Sequence, residues 1–182
     1  MAYSEHRPAL QALSHASSTA AWAAAYAAVR ARSVELIAPL SAEDCQLQSM
    51  PDASPSKWHL AHTTWFFETF VLERFEPGFK PFDASFRVLF NSYYQAVGPQ
   101  HPRPQRGVLS RPSLAQVLAW REQVDHRVQA LIARSGDAAW RTLLQLGLPA
   151  AHVQHPGDER QTRKRRGDPE EREAEFGDHA FI

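Results

Sequence analysis

The chain lacks most of the features that mark small enzymes and binding modules. Its 182 residues include a single cysteine, Cys45. One thiol excludes an intrachain disulfide and argues for a reducing compartment. Net charge is missing too, because 20 basic and 20 acidic side chains cancel. A neutral chain has no electrostatic footing on nucleic acid or an anionic membrane. No apolar leader opens the sequence, since Met1 to Gln11 is mostly polar. There is no phosphate-cradling glycine loop, no G-x-S-x-G elbow, no H-E-x-x-H pair and no cysteine cluster. These absences lead to the expectation of a cytoplasmic protein without nucleic-acid or membrane partners, whose chemistry rests on a few scattered side chains.

What the chain does have is aromatic bulk, with five tryptophans and ten phenylalanines. The densest run is Ser54 to Phe75, S-P-S-K-W-H-L-A-H-T-T-W-F-F-E-T-F-V-L-E-R-F. Ser54-Pro55 is a helix start: a capping hydroxyl, then proline at the first position. Apolar residues then fall on nearly every side, and a helix apolar all round is a buried one. Lys57, His59, His62, Glu68 and Glu73 within it argue for a core helix and against a membrane span.

Three further helices are predicted. Trp22, Tyr26, Val29, Ser33, Leu36, Ile37 and Leu40 trace one face of a helix over about 18–38, with Arg30 and Arg32 facing solvent. Ser41, followed by Glu43 and Asp44, caps one short turn. The aromatic run makes helix two, about 56–75. Residues 76–112 are long for a bundle connection but too rich in Phe, Tyr and Val for a free linker, so either a short helix or an ordered crossover is expected over 83–94. Leu114, Val117, Leu118, Val124, Val128, Leu131 and Ile132 stripe a helix over 113–134. Ala138 begins a fourth helix that Pro149 should disrupt after about three turns. The fold class is therefore all-α: an up-down four-helix bundle over 17–149 with an incomplete fourth helix, a flexible lead-in at 1–16 and a polar, charged tail at 150–182 expected to be disordered. The short fourth helix leaves apolar surface that favours self-association or a complementary chain.

The candidate site residues are histidines. His62 is the leading one, since an imidazole can present Nε2 to a metal while an acceptor orients Nδ1. A structural histidine with a satisfied hydrogen bond is the competing reading. His59 lies one turn earlier, and Glu68 and Glu73 are either acceptors behind His62 or surface groups. His152 and His155 form an H-x-x-H pair between Pro149 and Pro156-Gly157, where no stable helix is assured. His126, beside Asp125, reads as solvent-facing. Cys45 has no paired cysteine, and reactivity would require a lowered thiol pKa.

The segment S-P-S-K-W-H-L-A-H-T-T-W-F-F-E-T-F resembles the N-terminal DinB-like domain of the ergothioneine biosynthesis sulfoxide synthases. So do Q-S-M-P-D-A-S-P at 48–55, L-F-N-S-Y-Y at 89–94, H-P-R-P-Q-R-G at 101–107 and L-L-Q-L-G-L at 143–148. The resemblance spans about 24–148 and implies a DinB-like helical bundle. It also implies chemistry with non-haem iron(II) and oxygen, joining the sulfur of γ-glutamylcysteine or cysteine to the imidazole of hercynine as a sulfoxide. Family members hold iron with three histidines, and the first matches His62. The other two come from an H-E-x-x-H sequence after the L-G-L, at positions occupied here by Ala150 and Gln154. His152 and His155 are near but out of register, and the large C-terminal domain of these enzymes has no counterpart. The resemblance thus leads to the expectation of a truncated, frame-altered or divergent relative that binds iron(II) poorly and is inactive alone. The alternative is a DinB-like metal-binding or protein-interaction module without synthase activity.

Overall fold

A computed structural model of the chain describes residues 18–134 and 139–152. All regular structure among them is helical. Helix α1 (Thr19–Ile37) starts at Ser18, whose hydroxyl accepts the Ala21 N–H at 3.2 Å. The single turn α2 (Ala42–Gln46) is held by a capping box in which Ser41 and Asp44 accept each other's backbone N–H. Helix α3 (Ser56–Phe67) continues through a π-helical turn, Glu68–Leu72, to a last α-helical turn, Glu73–Phe75. The crossover contains one helical turn, α4 (Phe86–Leu89), and 3₁₀ turns at Gln95–Val97 and Arg103–Val108. Helices α5 (Leu114–Arg134) and α6 (Ala139–His152) complete the bundle.

Side-chain contacts give the helix directions. Arg30 of α1 reaches Thr63 and Thr64 of α3, while Tyr26 packs on Phe67, so α1 and α3 are antiparallel. By contrast, α3 and α5 are parallel. Lys57 donates to the carbonyls of Leu109 and Pro112 ahead of α5, and Glu76 beyond α3 pairs with Arg127 further along α5. Helix α6 meets α1 at Trp22–Trp140 and α3 at Gly147–Phe66, and so runs with α1 and against α3. The path is up, down, down, up. Parallel neighbours require the chain to travel back along the bundle, and the crossover makes that return.

The all-α bundle expected from the sequence is the architecture observed, and α3 is its centre. Trp58 and every residue from Leu60 to Glu68 are buried. Four expectations need correction. The connectivity is not up-down throughout, because the crossover over 76–112 carries the chain back and sets α5 parallel to α3. Arg30 does not face solvent: it is 3% exposed, with Nε 2.6 Å from Asp125 Oδ1. Leu36 and Leu40 are not core residues, at 48% and 40% exposed. With Arg30 level with Arg121, position 37 is level with the first residue of α5, so Leu40 overhangs the bundle end. Finally, α6 passes Pro149 and runs to His152. A proline near a helix end forfeits a single backbone bond, and Trp140, Leu144 and Leu148, all fully buried, hold the helix in place. The sequence before Ser18 and from Val153 onward lies outside the described residues. No helix among the described residues is long and apolar enough to cross a membrane.

Gly147 is the point of closest approach between α6 and α3. A Cβ there would stand 2.5 Å from Phe66 Cε1 and 2.9 Å from Phe67 Cε1. Alanine favours the helix by about 1 kcal/mol, but overpacking two buried rings costs about 1–3 kcal/mol. Gly147→Ala is expected to lower stability by about 1 kcal/mol, the middle of the difference between these two effects, in urea denaturation. Unchanged or raised stability would mean that the Phe66 ring yields.

Candidate functional site

The site begins with a backbone problem. A one-turn helix leaves its last carbonyls without intrahelical partners, and buried carbonyls require donors. In α4 and its cap these are the carbonyls of Arg87, Val88, Leu89 and Phe90. The Trp65 indole donates to Arg87 O at 3.1 Å and the His101 N–H to Val88 O at 3.2 Å. The Trp58 indole donates to Leu89 O at 3.1 Å, and His62 Nδ1 lies 2.7 Å from Phe90 O. Trp58, His62 and Trp65 are spaced at i, i+4 and i+7, which places three ring donors on one face of α3.

This arrangement determines the state of His62. A carbonyl can only accept, so Nδ1 carries the proton and Nε2 presents its lone pair. The imidazole stacks with Trp58 (4.9 Å between centroids, 14° between planes) and with Trp65 (5.5 Å, 19°). It is 7% exposed. Burial, partly offset by the bond to Phe90, pulls its pKa down to about 4, so the ring is neutral at physiological pH. Nε2 accepts no hydrogen bond among the described residues. A neutral ring with its other nitrogen held by a carbonyl is the state in which histidine ligates metals.

The end of α6 comes to the same level. Gly147 abuts Phe66 and the two helices are antiparallel, so position 151 is level with His62, four residues back along α3. His155 lies outside the described residues. Among the described residues no group of three His, Cys, Asp or Glu stands close enough together to hold a metal ion. His62 thus suits a metal as one donor, and the described residues do not complete a coordination shell for iron(II).

The other candidates sit elsewhere. His59 is half-buried, with its ring edge-on to Trp58 at 5.8 Å. His126 is exposed, as expected. Cys45 is buried, and burial together with the neighbouring Asp44 pushes its thiol pKa up, away from the reactive thiolate. Glu73 is a surface group paired with Arg87 at 2.6 Å. Glu68 does not occupy the surface: it is 5% exposed and accepts from the Trp120 indole and the Phe82 N–H. The residues that sequence reasoning missed are Trp58, Trp65 and Phe90, which orient His62. The W-x₃-H-x₂-W spacing was the available signal.

The sequence profile described as the DinB superfamily matches residues 25–165, well over half of the chain. No curated protein shows significant similarity to it.

The His62 geometry predicts a pH response. The unfolded imidazole titrates near its usual 6.5 and the folded one near 4. Between these values the unfolded chain binds the extra proton, so stability rises with pH across the window and falls on acidification. Nitrogen-detected NMR is expected to show His62 as the Nδ1–H tautomer at pH 7, protonating only near pH 4. In His62→Gln the acid-side loss between pH 6.5 and 4 is expected to diminish. An imidazolium at pH 6 would contradict the geometry.

Proposed function

The chain belongs to the DinB superfamily, and we propose that it is a divergent member or fragment of the ergothioneine sulfoxide synthase group, retaining the metal-ready histidine but inactive by itself. The observation that carries this reading is the Nδ1–H bond from His62 to the Phe90 carbonyl, which leaves Nε2 as a lone pair at the level of the last turn of α6. The segments around it, L-A-H in α3 and L-F-N-S-Y-Y in the crossover, resemble that group and support this reading. In such enzymes iron(II) supplies the oxygen chemistry that joins a thiol sulfur to hercynine. Here Trp58 and Trp65 hold the plane of the imidazole, and the Phe90 carbonyl holds its proton on Nδ1. Among the described residues one imidazole is offered, which leaves most of the coordination to water or foreign ligands, so weak binding is expected.

A second reading, a DinB-like module that binds metal or another polypeptide without synthase activity, is favoured by a separate observation. Leu47 and Val108 are 71% and 79% exposed, beside the contacts that tie Gln46 and Gln48 to Gly107. Exposed apolar side chains at an anchored point suit association, with a second copy of the chain as the simplest partner.

Anaerobic iron(II) titration of wild type and His62→Ala tests the first reading. Weak binding, weakened further by the substitution, is expected, with no sulfoxide formed from hercynine, thiol and oxygen. Turnover by the purified chain, or iron binding indifferent to His62, would overturn it. A dimer in sedimentation that Leu47→Asp disrupts, with metal binding unchanged, would favour the second reading.

A further inference from the structure

The segment L-F-N-S-Y-Y ends in two tyrosines that the His62 reading leaves unused. Tyr94 is half-buried against the aromatic face of α3. Its ring centroid lies 5.4 Å from that of Trp65, 5.1 Å from Phe70 and 6.4 Å from the His62 imidazole. Tyr93 stacks on Tyr94 at 4.6 Å and 21°, and is 66% exposed. The two phenol oxygens are 3.4 Å apart. Asn91, itself buried, fixes the pair by accepting the Tyr94 N–H and donating to the carbonyls of Tyr94 and Gly98. His62, Trp65, Tyr94 and Tyr93 thus make a continuous path of rings from the buried imidazole to the surface.

These rings differ in how well they tolerate the loss of an electron. An oxidised indole is a cation, and it stays one unless its N–H proton has a base to go to. Trp58 and Trp65 give that proton to the carbonyls of Leu89 and Arg87, which hold it in a hydrogen bond but do not take it up. Trp58 also lies under the Arg106 guanidinium, 3.4 Å from its ring centroid, where a second positive charge is disfavoured. The electron deficit is therefore expected on Trp65 in preference to Trp58. Tyr94 offers it a neutral resting place, provided that the phenol proton leaves. Burial and the bond to Tyr93 push the Tyr94 pKa up and keep the resting phenol protonated. The hydroxyl of the exposed Tyr93 is the way out for that proton.

We propose that Trp65, Tyr94 and Tyr93 relay one-electron oxidation from the neighbourhood of His62 to the protein surface. The oxidant is of the peroxyl or hydroxyl radical class. It takes one electron from Trp65 and one proton from water, and becomes a hydroperoxide or water. Tyr94 returns an electron to the indole as its proton passes to the Tyr93 oxygen and Tyr93 releases its own proton to water. Tyr93 then gives an electron and a proton together across the same contact, which restores Tyr94. In sum, one electron passes from Tyr93 to the oxidant, and the proton lost by Tyr93 replaces the one taken from water. A neutral tyrosyl radical is left at the exposed position, where ascorbate reduces it by giving a hydrogen atom. The relay requires no metal, so its failure and that of the iron(II) reading are separate events.

The full, metal-free chain would be flashed with ultraviolet light at the red edge, where indole absorbs and phenol does not, with hexaamminecobalt(III) as irreversible acceptor for the ejected electron. Transient absorption and freeze-quench EPR then follow indole and tyrosyl radicals. A tyrosyl signal that grows as the indole radical decays is expected in the wild type, more slowly in deuterium oxide. Trp65→Phe and Tyr94→Phe are each expected to lose most of that growth, while Tyr26→Phe keeps it. In Tyr93→Phe the growth is expected to slow and its deuterium effect to change, because the Tyr94 proton has lost its acceptor. Should Trp65→Phe not fold, the Tyr93 and Tyr94 variants, outside the fully buried core, carry the test. Indole radicals that decay without tyrosyl growth, growth unchanged in folded Tyr94→Phe, or growth abolished by Tyr26→Phe would each overturn the proposal.

Discussion

Four carbonyl oxygens at the end of α4 determine how the rest of the molecule is arranged. A single helical turn has no stability of its own, and its unsatisfied carbonyls would be costly against a buried helix. Trp58, His62 and Trp65 meet three of them from α3, and the His101 N–H meets the fourth. Once those bonds form, the crossover is fastened along α3, and the chain is carried back to begin α5 parallel to it. Phe86 and Phe90 then pack against Trp120 of α5 at 4.8 and 5.6 Å between ring centroids, closing the core on that side. The tautomer of His62 follows from the same bonds, so the chemistry of the imidazole and the topology of the bundle share one cause.

Burying α3 on every side also requires its polar groups to find partners indoors. Thr63 and Thr64 donate to the Leu60 carbonyl and accept from Arg30 at 3.4 and 3.0 Å. Arg121 joins from α5, donating to Thr63 Oγ1 and to the Arg30 carbonyl. Of the two guanidiniums only Arg30 is bonded to a carboxylate, Asp125, which also accepts the Tyr26 hydroxyl at 2.6 Å, and Arg121 feels that charge without touching it. Burial and the facing Arg30 pull Arg121 down to about 9, still protonated at neutral pH. Like charges held this close rely on the hydrogen bonds around them more than on Coulomb attraction. The network acts as a registry device, because sliding α1 by one residue along α3 would pull Arg30 from Thr63 and Thr64 and cost Arg121 the Arg30 carbonyl.

Much of this architecture was readable from the sequence where the signal was local. Apolar residues on all sides of 56–75 announced the central helix, and the expected bounds 18–38 and 113–134 differ by a residue from Thr19–Ile37 and Leu114–Arg134. The Ser41 cap was read from its own neighbours. What failed depended on partners distant in sequence. Arg30 and Glu68 look like surface charges because ionisable residues rarely go inside unpaired, and their partners, Asp125 and Trp120, lie on α5. His62 was visible as a histidine with a use for both nitrogens, but the Phe90 carbonyl stands 28 residues away. Membership of the DinB superfamily supports the bundle itself. The ligand role of His62 came from the resemblance to the synthases, and the geometry adds a protonation state suited to it.

A helix with no solvent face can act on other molecules only where its cover is incomplete. At His62 the imidazole reaches one covering segment with Nδ1, and Nε2 is left over. At Glu68 one carboxylate oxygen satisfies both Phe82 and Trp120, and the other is left over. The two residues are alike in this respect: each is buried among aromatic rings, each is half-satisfied, and burial disfavours the charged form of each. The two groups differ in what they offer. A lone pair on a neutral ring suits an electron-pair acceptor such as a metal ion, whereas the Glu68 carboxylate is spent on fastening Phe82 and Trp120 to the central helical run. The packing that makes α3 the structural centre therefore also sets the protonation state of the imidazole it buries.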